Sequence, residues 1–341
     1  MKNRINWIDY AKGLAIIGVV FVHAHGMPDE LKKIIYVALI PIFFFLSGIF
    51  ASKELSLSTA DFLKRKSRQL IIPYLFFNCI TYLFWLLLGR HFGSDANSVI
   101  DPIQPLYGIL SGNAIHLIHY VPLWFLTCMF STVVIYFFLF RKAHRLSTQI
   151  VLLFGTLIGG YFTSKYLSVE LPWGLNNLLP MMFFYGLGHL YGAHKESFKQ
   201  MPNQLKIGLS LIGLIGLFIA FNYNNTIAIH KAFYGQYILF LIGAISGIIL
   251  LVTGTKLISK LHKNDVILSF IGQNTLIILC LHLIAGSVLK AITLFILKLP
   301  LTVFDNLIGA LIYSCLSIFI LWPIIWFINS YLPFLVGRPS K

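Results

Sequence analysis

Residues 7–23 have the sequence WIDYAKGLAIIGVVFVH, an apolar run that carries three ionisable side chains, Asp9, Lys12 and His23. An α-helix has 3.6 residues per turn, so intervals of three and eleven residues put all three side chains near one face. Lys12 and His23 are then about 16 Å apart along the axis, roughly half the thickness of a bilayer core. Ionisable groups inside a membrane helix are costly, and their usual explanation is functional. The run therefore predicts a transmembrane helix with a functional polar stripe.

The composition of the whole chain is that of a membrane protein. Of the 341 residues, 58% are hydrophobic and 11% are charged, and the mean hydropathy is +0.83, which excludes a soluble globular domain. Apolar runs recur from end to end, so we expect one transmembrane domain over residues 1–341. The predicted fold is all-α and polytopic, with about ten transmembrane helices near residues 7–25, 34–50, 69–89, 120–140, 146–164, 175–192, 206–221, 235–253, 266–289 and 306–332.

The distribution of Lys and Arg predicts the orientation of these helices. If the spans alternate from a cytoplasmic N-terminus, 19 of the 26 Lys and Arg residues lie on the cytoplasmic side. The seven on the other side are Lys32, Lys33, Arg90, Lys165, Lys231, Lys290 and Lys298. Such a bias is typical of cytoplasmic loops, so we expect both termini to be cytoplasmic in a bacterial inner membrane. Topology and attraction to anionic lipid explain the net charge of +15, and no nucleic-acid partner is expected.

Small residues have a packing role in this prediction. Glycines four residues apart allow close approach of membrane helices, as expected at Gly155/Gly159, Gly188/Gly192 and Gly243/Gly247. The cysteines all lie within predicted spans, have no CxxC spacing and are expected to be buried: Cys79, Cys128, Cys280 and Cys315. No metal site is expected.

Five sequence patterns follow one another along the chain. They are Lys12 and His23 preceded by WIDY, the Phe-rich PIFFFLSG at 41–48, Arg65-Lys66-Ser67-Arg68, PLWFL at 122–126, and FIGQNT at 270–275 followed by Leu281-His282. In this order, over residues 4 to about 290, they resemble the membrane acyltransferase-3 family, which includes fucose 4-O-acetylase-like proteins. Lys12 departs from the family pattern, in which Arg is commoner, and a late acidic residue of some members has no clear counterpart here.

The resemblance implies an integral-membrane O-acyltransferase. Such an enzyme would transfer an acyl group, here expected to be acetyl, from cytosolic acetyl-CoA to a hydroxyl of a cell-surface or lipid-linked glycan. Acetyl-CoA is then a donor substrate and not a bound cofactor. The expected partners are acyl-CoA, the saccharide acceptor and membrane lipids.

His23 and Asp9 are the predicted catalytic residues. A neutral imidazole can deprotonate a sugar hydroxyl, because its pKa lies near the working pH. The alternative is a histidine that only links helices by a hydrogen bond. Asp9 is expected to fix the geometry of Lys12, or simply to pair with it. His25, two residues after His23, faces another direction and is expected at the membrane interface.

Arg65, Arg68 and Lys12 are the predicted donor-binding residues. Arg65 and Arg68 share a face if a helix begins there, and two forked guanidinium groups can hold phosphate oxygens bidentately. Coenzyme A carries a diphosphate and a 3′-phosphate, so it would fit such a site. Alternatively, the arginines only anchor the helix by the positive-inside rule, and the Lys12 side chain only extends to the lipid headgroups.

Trp124 and His282 are the remaining predicted substrate-binding residues. The Trp124 indole would stack on a sugar or acyl chain, although an interfacial aromatic belt explains it equally well. His282 lies deep in the predicted ninth span and is expected to be a second polar member of the site. His116 and His119 are three residues apart in an outer loop and are expected at the surface.

Two other functional classes fit the same composition. A transporter or flippase of a lipid-linked glycan would also need polar groups inside ten helices. It predicts an inverted repeat with paired broken helices, of which the sequence gives no sign. A non-catalytic scaffold would not need an ionisable group such as His23 inside the membrane.

Overall fold

The computed structural model of this protein describes residues 6–92, 99–224, 226–262 and 265–338. Lys2, Arg4, Lys263 and Lys341, which contribute to the predicted charge bias, lie outside the described residues. Within the described part the chain is helical, and its β-structure is a single bridge between Ala228 and Phe233.

The helices follow one another with short connections. They are α1 (Asn6–Val22), α2 (Asp29–Gly48), α3 (Ala51–Leu55), α4 (Thr59–Lys66), α5 (Ile72–Phe84), α6 (Arg90–Phe92), α7 (Gln104–Ser111), α8 (Trp124–Phe140), α9 (Leu146–Tyr166), α10 (Leu178–Ala193), α11 (Lys195–Gln200), α12 (Asn203–Tyr223), α13 (Tyr237–Leu261), α14 (Val266–Gln273), α15 (Thr275–Ala291) and α16 (Leu307–Tyr331). Three π-helical turns, Ser67–Ile71, Trp85–Gly89 and Ile292–Ile296, continue helices, and short 3₁₀ turns are Val121–Leu123, Pro172–Asn177, Ile229–Lys231, Leu301–Phe304 and Pro333–Val336.

Eight of the described helices are long and apolar enough to cross a membrane. They are Asp29–Gly48, Thr59–Phe92, Val121–Phe140, Leu146–Tyr166, Asn203–Tyr223, Tyr237–Leu261, Thr275–Ile296 and Leu307–Tyr331. Helices α1 and α10 have 17 and 16 residues, somewhat short of the ~20 that a perpendicular span needs. The expected all-α, polytopic membrane fold is confirmed.

Burial separates central from peripheral helices. In its most apolar window, the helix that contains α8 is 72% buried, whereas α9 and α12 are each 17% buried. Because lipid is as apolar as a protein core, the apolar pattern alone does not fix these positions, and small residues decide which helices meet. A Cβ atom at Gly188 or Gly192 would overlap the Phe45 or Ile49 carbonyl of α2, so α10 packs directly on α2 at these glycines.

Some predicted boundaries and packing roles are wrong. The predicted span 266–289 is broken at Asn274 into α14 and α15, and the helix predicted at 69–89 begins at Thr59. Gly155 faces open space rather than a neighbouring helix. Cys79 and Cys315 are exposed on the helix surface, whereas Cys128 and Cys280 are buried as expected.

Candidate active site

His23 lies directly after the last residue of α1. Its Nδ1 is 2.7 Å from the Val19 carbonyl oxygen. A carbonyl oxygen only accepts hydrogen bonds, so Nδ1 carries the proton and the lone pair of the neutral ring is on Nε2. The side chain is exposed, although the rings of Tyr36 and His282 lie beside it. His23 is therefore a potential base whose orientation is fixed by its own helix.

His282 faces His23 from the middle of α15. The two ring centroids are 5.0 Å apart in an edge-to-face arrangement. His282 is 3% exposed, and its Nδ1 donates to the Leu279 carbonyl at 2.9 Å. Its buried Nε2 has no hydrogen-bond partner in the described part of the chain. Such an atom needs an explanation, and a substrate hydroxyl, a water or a transferred proton would satisfy it.

Tyr120 joins the loop before α8 to α15. Its hydroxyl donates to the Leu279 carbonyl at 3.3 Å and accepts from the Leu283 N–H at 3.2 Å, and it is 3.5 Å from His282 Nδ1. No sequence pattern indicated this residue, since its partners are about 160 residues away. We call His23, His282 and Tyr120 the histidine site.

Trp124 follows Tyr120 by four residues and begins α8. It is 5% exposed, so the interpretation as an interfacial belt residue is wrong, because a belt side chain faces lipid and headgroups. Its place next to Tyr120 in the chain is compatible with the predicted contact to substrate, which stays a prediction.

His119 is buried, although it was expected at the surface. Its Nε2 donates to Asn78 Oδ1 at 3.1 Å, and the Asn78 amide in turn donates to the Tyr74 carbonyl. Burial lowers the pKa of His119 to about 4. The outer loop therefore folds into the helix bundle and carries Tyr120 to α15.

Two further histidines lie near the end of α1. His25 pairs with Asp305 at 3.0 Å, away from His23, as expected of a residue on another face. His230, which the sequence analysis did not single out, lies in the 3₁₀ turn Ile229–Lys231. Burial, and after it the charges of Lys231 and His23, lower the pKa of His230.

The histidine site is recessed along α15. His282 lies eight residues after Asn274, and the helix continues with its π-helical turn for fourteen more residues, to Ile296. At a rise of 1.5 Å per residue, about 21 Å of helix extends beyond His282.

A second polar region lies on the side of the bundle where α1 begins. A cavity of about 310 Å³ is lined by Asp61, Lys64, Arg65, Arg68, Gln69, Phe334, Gly337 and Arg338. We call it the arginine cavity. Arg65 and Arg68, predicted to share a face, both line it, and the π-helical turn Ser67–Ile71 carries Arg68. Such turns occur often at functional sites.

Lys66, between these arginines, faces the interior instead. Its Nζ is 2.6 Å from Glu54 Oε1, and the Tyr185 hydroxyl donates to Glu54 Oε2 at 3.0 Å. Lys66 and Glu54 are 4% and 6% exposed. In the sequence Lys66 counts only as one of the cytoplasmic charges, and nothing there indicates its burial. The buried pair fixes the rotation of α4, which turns Arg65 toward the solvent.

Arg338 enters the arginine cavity from the C-terminal segment. Its guanidinium donates to Asn329 Oδ1, to the Gln273 carbonyl at 2.7 Å and to Asn274 Oδ1 at 3.2 Å. Asn274 immediately precedes α15, so this cavity and His282 are separated by about 12 Å of that helix. The sequence analysis used Arg338 only as a topological charge.

Asp9 and Lys12 are not brought to His23. Asp9 is buried where α1 packs on α14, and its carbonyl is in contact with Gly272. Fourteen residues of helix separate it from His23, about 21 Å. Lys12 is half-buried on the same helix. The structure thus has two polar regions, and α1 and α15 run between them.

The residues described here offer no group of three or more His, Cys, Asp or Glu side chains placed to hold a metal ion. A family model described as an acyltransferase domain matches residues 5–326. No curated protein and no solved structure matches the chain.

Proposed function

Because this chain belongs to the membrane acyltransferase-3 family, we propose that it transfers an acetyl group from acetyl-CoA to a hydroxyl of a cell-surface or lipid-linked glycan. The observation that supports this most is the contact between His23 and His282, whose Nδ1 atoms both donate to backbone carbonyls. In their neutral forms both rings then have their lone pairs on Nε2. The pair is arranged to accept a proton from a bound hydroxyl.

In the proposed reaction His23 is the general base. Its Nε2 takes the acceptor hydroxyl proton while the hydroxyl oxygen attacks the thioester carbonyl carbon. The carbon–sulfur bond breaks, the glycan ester forms, and the proton passes from the imidazolium to the leaving thiolate. His282 Nε2 accepts a hydrogen bond from another hydroxyl of the acceptor, in keeping with its predicted substrate-binding role. Atoms and charge balance without a cofactor.

We assign the phosphates of coenzyme A to the arginine cavity. Lys64, Arg65, Arg68 and Arg338 surround a single carboxylate, Asp61. Guanidinium groups bind phosphate oxygens in pairs, which suits a diphosphate. The volume of about 310 Å³ suits part of the coenzyme, with the remainder outside the cavity.

The distance between the two regions would let one bound donor reach both of them. About 12 Å of α15 separates Asn274, which Arg338 contacts, from His282. An extended pantetheine arm has a comparable length, so the thioester would reach His23 while its phosphates remain in the arginine cavity.

The proposed orientation follows the charge bias of the loops. It puts the arginine cavity on the cytoplasmic side of a bacterial inner membrane, where acetyl-CoA is present, and opens the histidine site toward the outer face. The acceptor would then be a glycan at that face. Lys12 and Trp124 keep their predicted donor-binding and substrate-binding roles. Asp9, about 21 Å of helix from His23, is assigned only the orientation of Lys12.

Deleting the gene and measuring O-acetyl groups on the surface glycans tests the proposal. We expect their loss, with recovery from a plasmid that carries the wild-type gene. Membranes from the two strains are then incubated with acetyl-CoA labelled in the acetyl group, and label should enter glycan only when the protein is present. A flippase would instead reduce the amount of exported glycan and leave its acetylation per sugar unchanged. That result would overturn the proposal.

A further inference from the structure

The C-terminal segment forms one wall of the arginine cavity. Phe334, Gly337 and Arg338 line it opposite the turn that carries Arg68. Gly337 has φ +72°, and a Cβ atom there would lie 2.9 Å from Gln69 Cα. Glycine is thus needed both for the backbone conformation and for the close approach. The segment packs directly on the π-helical turn, and the cavity exists only when both are in place.

Arg338 is held by neutral oxygens at the start of α15. The hydrogen bonds named above come from the Asn329 and Asn274 side chains and the Gln273 carbonyl. Asn329 also donates to Asn274 Oδ1 at 2.8 Å, so the acceptors are themselves fixed. These contacts fix the guanidinium at the wall of the cavity that Arg65 and Arg68 also line. A preorganised cation of this kind favours a phosphate group.

We propose that Arg338 is a third phosphate-binding arginine, which binds the diphosphate of the acyl-CoA donor. This inference rests on the proposed function. The diphosphate is the group from which the pantetheine arm leaves, and the arm must follow α15 to reach His282. Arg338 contacts the residue that precedes α15, so it is the cavity cation best placed for that group.

The test compares donors with and without phosphate. Membranes that carry Arg338→Gln are assayed for acetyl transfer to the native glycan from acetyl-CoA, from acetyl-dephospho-CoA, which lacks the 3′-phosphate, and from S-acetyl-N-acetylcysteamine, which has no phosphate. We expect kcat/KM to fall about tenfold or more for both coenzyme donors, as for one lost charge-assisted hydrogen bond. The phosphate-free donor should react at the wild-type rate.

Arg141→Gln is the matched control. Arg141 is an exposed arginine that donates to Thr59 Oγ1 and does not line the cavity. Its replacement should change transfer from none of the three donors. The double variant Arg65→Gln/Arg68→Gln should show the same selective loss as Arg338→Gln.

Three results would overturn the inference. An unchanged kcat/KM for acetyl-CoA would remove Arg338 from the donor site. An equal loss with the phosphate-free donor would make it a structural residue at the start of α15. A loss with acetyl-CoA but not with acetyl-dephospho-CoA would contradict the assignment to the diphosphate. Failure of the proposed function is distinct, because wild-type membranes would then transfer acetyl from no donor.

Discussion

The histidine site and the arginine cavity differ in burial and in charge. In the histidine site, His282 is 3% exposed and its Nδ1 bonds to a carbonyl of its own helix. In the arginine cavity, Arg65 and Arg68 are exposed and carry full charge around an open space. One region joins the exposed His23 to neutral groups inside the bundle, and the other gathers charges at the surface of the bundle.

The difference reflects the surroundings of each region. Inside the bundle an unpaired charge is costly, so a reactive group there must be neutral and held by hydrogen bonds. At the surface, water stabilises the cations, and several can be gathered for a polyanion. The buried Glu54–Lys66 pair illustrates the difference between the two surroundings. Lys66 lies between Arg65 and Arg68 but faces inward, and there its charge needs a carboxylate partner.

The largest effect is expected in a test of the sides of the membrane on which the two regions lie. In a background without Cys79, Cys128, Cys280 and Cys315, Lys142→Cys and Ser168→Cys bracket the two ends of α9. An impermeant thiol reagent added to intact cells should label position 168 and leave 142 unlabelled. Lys64→Cys should be protected like 142. Lys66, two residues from Lys64, is unsuitable for labelling because it is buried. Asn225, which the sequence predicts in an outer loop, lies outside the described residues. Labelling of position 64 from outside would mean that the arginine cavity, and not the histidine site, lies at the outer face.

His23→Ala should abolish most acyl transfer. Loss of a general base typically costs ~10²–10⁴ in rate, while insertion of the protein should be normal. The measurement is O-acetyl content of the glycan in cells at matched protein levels. His25→Ala, which removes only the pair with Asp305, should retain most activity. Equal acetylation in the His23 variant and the wild type would end its catalytic assignment.

Arg65→Lys/Arg68→Lys should weaken donor binding although the charge is unchanged. Lysine lacks the planar fork, and one or two lost charge-assisted bonds at ~1.5–3 kcal/mol each predict a tenfold or larger rise in Kd for acetyl-CoA. Titration of the purified protein with acetyl-CoA measures it. Arg141→Lys serves as the control. Wild-type affinity would reduce the motif to a topological signal.

The smallest effect concerns pH and the loop that supports the histidine site. The pKa of His119 is lowered to about 4 in the folded protein, against 6.5 for a free side chain. Between these values the unfolded chain binds more protons, so the free energy of unfolding falls as the pH falls, by about 1.4 kcal/mol per pH unit from this residue. Above pH 6.5 His119 is neutral in both the folded and the unfolded chain, so its titration no longer changes the free energy of unfolding.

His119→Gln removes this titration and keeps a donor for Asn78. Its melting temperature should therefore fall less than that of the wild type between pH 7 and pH 5, with little difference between them at pH 7. His116→Gln, in the same loop, should follow the wild-type curve. Parallel curves for His119→Gln and the wild type would show that His119 is not buried in its neutral form.

The chain itself predicted the membrane fold, because apolar runs and loop charges act locally and need no knowledge of neighbours. It also indicated His23, His282, Arg65 and Arg68, since an ionisable group in a span or a paired arginine motif is visible in one dimension. It misjudged His119, which was expected at the surface, and gave no sign that Lys66 and Trp124 are buried. Burial depends on partners such as Glu54 and Asn78, which sequence spacing does not reveal.

Only the tertiary structure joined distant segments into sites. Tyr120 reaches α15 across about 160 residues, and Arg338 reaches the turn of Arg68 across about 270. Inside a membrane all helices are apolar, so hydrophobic pattern cannot say which of them meet. Close approach at glycines such as Gly188 and Gly337, together with the hydrogen bonds of buried polar groups, decides that arrangement.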